Sequence, residues 1–199
     1  MSIVTPARAV PKLSPGNSKI GKVLNISLPP VVSCAAGIPC ARLCYARKAF
    51  RNYPTAREAW EHNWELLQSD RDAFLAGIAE RIDQEEPELF RWWVSGDTPD
   101  QDCLRCQFDL ARMFPRVRFL QFTKQHALDF RGRPRNFAIV LSMWPNWGDT
   151  RKRLPRAWMH DGTDPRIPAD AIRCSGKCET CGICWDLAKL GRDVVFAKH

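Results

Sequence analysis

FRWWVSGD (residues 90–97), VRFLQFTK (117–124) and FAIVLS (137–142) are the stretches whose reading decides the fold. Each is a short apolar run rich in aromatic or β-branched residues, and each ends in polar ones: Ser95, Gly96 and Asp97; Thr123 and Lys124; Ser142. Such runs read as strands. Between the first two, Leu104, Phe108, Ala111 and Met113 give residues 100–114 a helical period. Between the second and third, only a short helix near Gln125–Phe130 fits. Alternating strands and helices predict βαβ units and a parallel sheet. In such sheets function gathers where the strands end. Ser95, Asp97, Lys124 and Ser142 are therefore expected on one rim.

Working outward, Thr55 and Glu58 have capping-box spacing after Pro54, ahead of a helix predicted over 55–69. Asp70 reads as the N-cap of a second helix reaching about Ile82, and Glu85-Glu86-Pro87 stops it. Residues 1–30 are rich in Pro, Ser, Gly and Lys and read as an irregular arm with one strand at Val23–Leu28. Beyond the third strand, 145–170 reads as loop with a short strand near Ala157–His160. A short helix, Trp185–Leu190, and a strand, Val194–Ala197, follow. The expected organisation is one α/β domain over 1–199, five or six strands in a partial (β/α) barrel, with a cysteine-rich segment over 172–199 packed on it.

The cysteines carry the chemistry. Cys34-x5-Cys40-x3-Cys44 forms one group and Cys174-x3-Cys178-x2-Cys181-x2-Cys184 another. The second set lets a single loop wrap one metal centre, with Gly176 and Gly182 supplying the tight turns. Thiolates suit iron–sulfur clusters and zinc alike. So compact a run favours ferredoxin-type [4Fe–4S] ligation over a zinc ribbon built from two separated pairs. Three thiolates in the first set suit a [4Fe–4S] cluster with one iron left open, the mark of a catalytic site. One centre or two stays open at this point. Cys103 and Cys106 form a further CxxC, but within the 100–114 helix beside Leu104 and Phe108, where they read as packing thiols.

The nine cysteines are an odd number, which speaks against a fully paired disulfide framework. No run is long and apolar enough to cross a membrane, and the first residues lack the apolar stretch of a secretory signal. A cytoplasmic location, where clustered cysteines bind metal, is the expectation. The net charge of +8 suits nucleic acid, an anionic ligand or an acidic partner. His62 and His126 read as helix-surface or core residues, His160 as a polar site candidate, and His199 as a neighbour of a cluster. Trp144 and Trp147 are candidates for lining a pocket.

At SCAAGIPCARLCYARKAFRNYPTAREAW, and on through FRWWVSGD, FLQFTK, IVLSMW, CSGKCETCGICW and GRDVVFAKH, the sequence resembles the phage gene product 88 family, over about residues 13–199. That family implies no particular activity. More broadly, the Cys…CYA segment ahead of a partial barrel is similar to radical S-adenosylmethionine proteins. That resemblance implies that Cys34, Cys40 and Cys44 hold the reactive cluster, whose open iron binds the amino and carboxylate groups of S-adenosylmethionine. It implies that Tyr45 is the aromatic residue beside the last ligand and that Ser95-Gly96-Asp97 is the loop holding the cofactor's amino group. Cys174, Cys178, Cys181 and Cys184 would hold an auxiliary cluster. The usual C-x3-C-x2-C spacing is absent at Cys34–Cys44 and present at Cys174–Cys181. The alternative is a non-catalytic protein, stabilised by zinc or an iron–sulfur cluster, that binds nucleic acid or protein.

Overall fold

The computed structural model describes residues 9–18, 20–160 and 162–197. His199 and Asp161, the neighbour of His160, lie outside them. Seven strands form one all-parallel sheet: β1 (Leu24–Asn25), β2 (Leu89–Trp92), β3 (Arg118–Thr123), β4 (Phe137–Met143), β5 (Arg156–His160), β6 (Ile172–Arg173) and β7 (Val194–Ala197). Their spatial order is β1-β2-β3-β4-β5-β7-β6. Among the described residues β1 and β6 do not pair, so the sheet keeps two edges.

The order explains the layers. From β1 to β5 each strand is added beside the last. Right-handed crossovers then place every connection on one face. Helices α1 (Tyr45–Asn52), α2 (Pro54–Ser69), α3 (Arg71–Glu85) and α4 (Gln101–Met113) all belong to these connections. Leu67, Phe74, Ile78, Leu104 and Phe108 from α2–α4 pack on Phe90, Trp92, Phe119, Ile139 and Trp158 of the strands. Each fully buried aromatic or aliphatic side chain there contributes on the order of 2 kcal/mol. After β6 the chain turns back, and β7 inserts between β5 and β6. A right-handed crossover running backwards must lie on the opposite face. That crossover contains α5 (Cys178–Cys181), a 3-10 turn at Ile183–Trp185 and α6 (Leu187–Leu190). Trp185 and Leu187 accordingly pack on Leu120, Val140, Ala157 and Val194, the alternate residues of the same strands.

Several expectations need correction. Among the described residues there are seven strands rather than five or six, β6 being only two residues long. Helix α1 is an addition: its alternation of cations with Ala46, Ala49 and Phe50 spans barely two turns, too short for a clear period. No helix forms over Gln125–Phe130, where the chain makes turns. Helix α2 begins at Pro54 with Tyr53 as its cap and no side-chain cap bond, so the Thr55–Glu58 capping box does not form. Proline at the first helical position already lacks the N–H that a cap would satisfy. Asp70 does cap α3, accepting from the Ala73 N–H at 2.8 Å. Cys103 is buried in α4 within the main core.

Candidate functional site

Every strand runs the same way, so their C-terminal ends meet on one rim. A cavity of about 290 Å³ opens there, close to the lower end of small-molecule sites, about 300 Å³. Cys34, Cys40 and Cys44 line it from the loop after β1, and Cys174 and Cys178 from the segment after β6. Ser95, Lys124 and Ser142 face it from the ends of β2, β3 and β4. Phe122, Met159 and Phe196 supply apolar wall, Phe122 and Phe196 meeting edge to face at 5.7 Å. The reversed crossover starts from the same rim as the loop after β1, and its first residues, Cys174 and Cys178, reach the cavity that Cys34, Cys40 and Cys44 line.

The rim is built from buried polar contacts. Asp97 is only 2% exposed and is sealed beneath the cavity rather than on its wall. Its Oδ1 accepts from the Thr98 N–H at 2.8 Å and its Oδ2 from the Lys124 N–H at 2.7 Å. Burial pushes its carboxyl above the usual range, with the Lys124 charge pulling the other way. Burial pulls Lys124 down, but Cys40, Asp97, Tyr45 and Cys34 together outweigh it and raise it. Thr98 Oγ1 accepts from Trp93 Nε1 at 2.8 Å and from Gln121 Nε2 at 2.6 Å, and donates to Gln107 Oε1 at 3.0 Å. This knot sits directly under the turn that holds Ser95 and Gly96.

That turn is strained. Trp93 has φ of 49° and Gly96 φ of 85°. A Cβ on Gly96 would lie 2.5 Å from Ser33 Oγ and 2.7 Å from Leu28 Cβ, so the turn presses against the loop that leads into Cys34. In that loop Val31 has φ of 73°, a genuine outlier for a β-branched residue and the kind of strain that collects at functional sites. Ser95 Oγ is buried without a hydrogen-bond partner. Tyr45 donates its hydroxyl to the Val94 carbonyl, tying the start of α1 to the same strand end.

Burial also governs the thiols. It pushes Cys34 up to about 11 and Cys184 up to about 12, and it raises Cys40 and Cys178. Such thiols are poor nucleophiles at neutral pH. Thiolates are soft-metal donors, and binding a metal would displace these protons. Among the described residues the side chains of His, Cys, Asp and Glu do not converge in threes as a ready metal cage. The donor chemistry nonetheless suits iron–sulfur ligation. Cys174, Cys178 and Cys181 are near enough to Cys184 to help raise it, and Gly176 and Gly182 have φ of 78° and 60°.

Arg91 gave no signal in the sequence beyond being a cation inside an apolar run. On β2 it points to the cavity face, its Nη1 3.9 Å from Cys178 Sγ and its guanidinium 5.0 Å from the Phe122 ring centre. Its Nε is buried without a partner. His126 is a loop residue whose Nε2 contacts the Ser142 carbonyl at 3.1 Å while Nδ1 accepts from the Asp149 N–H at 2.9 Å. Trp144 lines the cavity at the strand ends. Trp147 lies beside His126. His62 is on exposed α2 surface, against the Val10 carbonyl, and His160 is exposed at the end of β5.

The sequence matches the model of the gene product 88 family over residues 7–163. The chain belongs to that family. The match takes in the first cysteine group and the rim of Ser95, Asp97, Lys124 and Ser142. It stops before Cys174, so the four-cysteine segment lies outside the matched residues, although the resemblance of the motifs ran to the end of the chain. No curated protein and no solved structure matches the chain. No helix among the described residues is long and apolar enough to cross a membrane.

Proposed function

We propose that this member of the gene product 88 family is an iron–sulfur protein with an enzyme-like, radical S-adenosylmethionine-type arrangement. Cys34, Cys40 and Cys44 would hold a [4Fe–4S] cluster with one open iron. Cys174, Cys178, Cys181 and Cys184 would hold an auxiliary [4Fe–4S] cluster. The observation that supports this reading is a single one: members of both cysteine groups line one cavity at the C-terminal rim of a parallel sheet. When bound, the clusters supply one-electron chemistry. The chain's own groups do the rest. Ser95 Oγ offers an unused hydroxyl to an amino or carboxylate group of a cofactor. Lys124 and Arg91 place positive charge beside the two anionic thiolate sets. Phe122, Met159 and Phe196 exclude water.

The test is anaerobic purification followed by iron and sulfide analysis and visible and electron paramagnetic resonance spectra, with and without S-adenosylmethionine. Replacing Cys34, Cys40 and Cys44 together by Ala is expected to remove about four of about eight irons and every spectral response to S-adenosylmethionine. Cys103→Ala is expected to remove none. Colourless protein with stoichiometric zinc would end the proposal.

A further inference from the structure

The chain's charge is not spread over it. Residues 1–57 hold nine lysines and arginines and no aspartate or glutamate, whereas residues 58–199 hold 21 basic and 22 acidic residues. The whole net charge of the protein therefore belongs to its first 57 residues.

The structure sharpens the contrast. In the later part, Arg71, Arg81, Arg105, Arg112, Arg118, Arg131, Arg151, Arg156, Arg166 and Arg192 each lie against a carboxylate. Arg42, Arg47, Lys48, Arg51 and Arg57 are all exposed, and among the described residues none has a carboxylate partner. Arg47 and Arg51 are four apart on α1, where like charges repel. Arg116, Arg135, Arg153 and Arg173 of the later part are exposed without such a partner among the described residues too, but they belong to a part with 22 acidic residues to 21 basic ones, whereas the segment that carries the other five has no carboxylate of its own. That local excess of positive charge suits an anionic partner from outside the chain.

The same segment holds both tyrosines of the chain. Tyr45 is 56% exposed and Tyr53 62% exposed, one at each end of α1. Guanidinium groups interleaved with exposed rings match phosphates and unstacked bases together. A membrane surface fits less well. An interfacial helix needs an apolar outer face, and Ala46 and Phe50 of α1 are turned inward, Phe50 stacking on Trp60 at 6.0 Å. The ridge adjoins the cavity, because Leu43, Cys44, Tyr45 and Ala46 line it.

We infer that the ridge formed by Arg42, Arg47, Lys48, Arg51 and Arg57, with Tyr53, binds single-stranded nucleic acid and leads it past the cavity mouth. The inference stands whether or not the cysteines carry iron. The test measures binding of labelled oligothymidylate and oligouridylate to the full-length protein over a series of salt concentrations. The triple variant Arg47→Gln, Lys48→Gln, Arg51→Gln is compared with Arg105→Gln, Arg112→Gln, Arg131→Gln, which loses the same charge elsewhere. The ridge triple is expected to weaken binding about tenfold or more and to flatten the slope of log K against log salt by about 2, three contacts' worth for a single strand. The control triple is expected to change affinity less than twofold. Tyr53→Ala is expected to weaken binding with the salt slope unchanged. Whichever strand binds more tightly tells DNA from RNA. Equal losses in the two triples, or absence of binding at low salt, would overturn the inference. So would equal or tighter binding to phosphatidylserine vesicles, which would give the ridge to a membrane. Should the ridge triple fail to fold, Lys48→Gln and Arg57→Gln alone carry the test, each expected to lower the slope by somewhat under 1.

Discussion

The two cysteine loops border one cavity, yet the protein holds them by different means. The first rests on the core. Gly96 presses against Leu28 and Ser33 just before Cys34, and the buried Asp97 and Thr98 fix the turn beneath. The second hangs from clasps at the periphery. Glu179 of α5 donates its N–H to the Ile20 carbonyl, and its Oε2 accepts from the Lys22 N–H at 3.1 Å. Trp185 Nε1 donates to the Arg118 carbonyl at 2.8 Å, and Arg118 pairs with Asp186 at 2.6 Å. A loop seated on fully buried polar bonds has one shape, whereas a loop whose near end is clasped by the exposed Lys22–Glu179 bond, with Trp185 anchoring only its far end in the core, opens at lower cost. The first loop is therefore the pre-formed half of the site and the second the adaptable half.

Two glycines break this comparison open most directly. Gly96 and Gly176 both have positive φ, 85° and 78°, but a Cβ on Gly96 meets Ser33 and Leu28 while one on Gly176 meets nothing within 4 Å. Gly96→Ala combines backbone strain with overpacking and is expected to cost about 3 kcal/mol. Gly176→Ala carries the strain alone, about 1 kcal/mol. Denaturant unfolding of the two variants checks this, and equal costs would mean that the first loop does not rest on the core. Asp97→Ala comes next. It strips the acceptor from two backbone N–H groups and is expected to cost about 2 kcal/mol. Its hydrogen exchange should rise at Thr98 and Lys124 while that of α5 stays unchanged.

The same contrast explains what was legible in the sequence. Strands β2 to β5 and β7, helices α2 to α4 and the rim of Ser95, Lys124 and Ser142 announce themselves because each is a long periodic run ending in polar residues. Their pairing along the rim follows from parallel winding. Features set by tertiary contact alone stayed hidden. Strand β6 has too few residues for any period, and it exists because β7 offers an edge. Arg91 sits in an apolar run, and only the register of β2 shows that it faces Cys178. Asp97 reads as a rim residue in a loop that holds a cofactor's amino group, but its oxygens accept from the N–H groups of Thr98 and Lys124 beneath the rim. The position of the four-cysteine segment was hidden for a different reason. It depends on β7 inserting inside β6, which no local pattern records.

A smaller effect is expected at the clasp of the second loop. Glu179→Ala removes one acceptor at an exposed site and is expected to cost about 1 kcal/mol or less. The consequence is local: hydrogen exchange at Lys22 and along Cys178–Cys181 should accelerate, with Thr98 and Lys124 unaffected. Acceleration at both loops together would merge what the comparison separates.

The smallest effect concerns a support of the rim at Ser142, outside both cysteine loops, that titrates. Burial pulls His126 below its ordinary value, which keeps the ring neutral so that Nδ1 can accept from the Asp149 N–H while Nε2 donates to the Ser142 carbonyl. A proton on Nδ1 removes that acceptor. The unfolded chain, with the ordinary value near 6.5, takes up the proton before the folded one does. The stability His126 contributes is thus fully present above that pH and is lost as pH falls through the window below it, by no more than about 1.4 kcal/mol per pH unit. His126→Gln has no such proton. The stability of the wild type minus that of the variant should shrink steadily between pH 7 and pH 5, as read by unfolding at each pH. A difference that stays flat would mean that the ring is solvated and does not brace Ser142. A parallel loss of protection at Cys178–Cys181 would mean that the two halves of the site move as one.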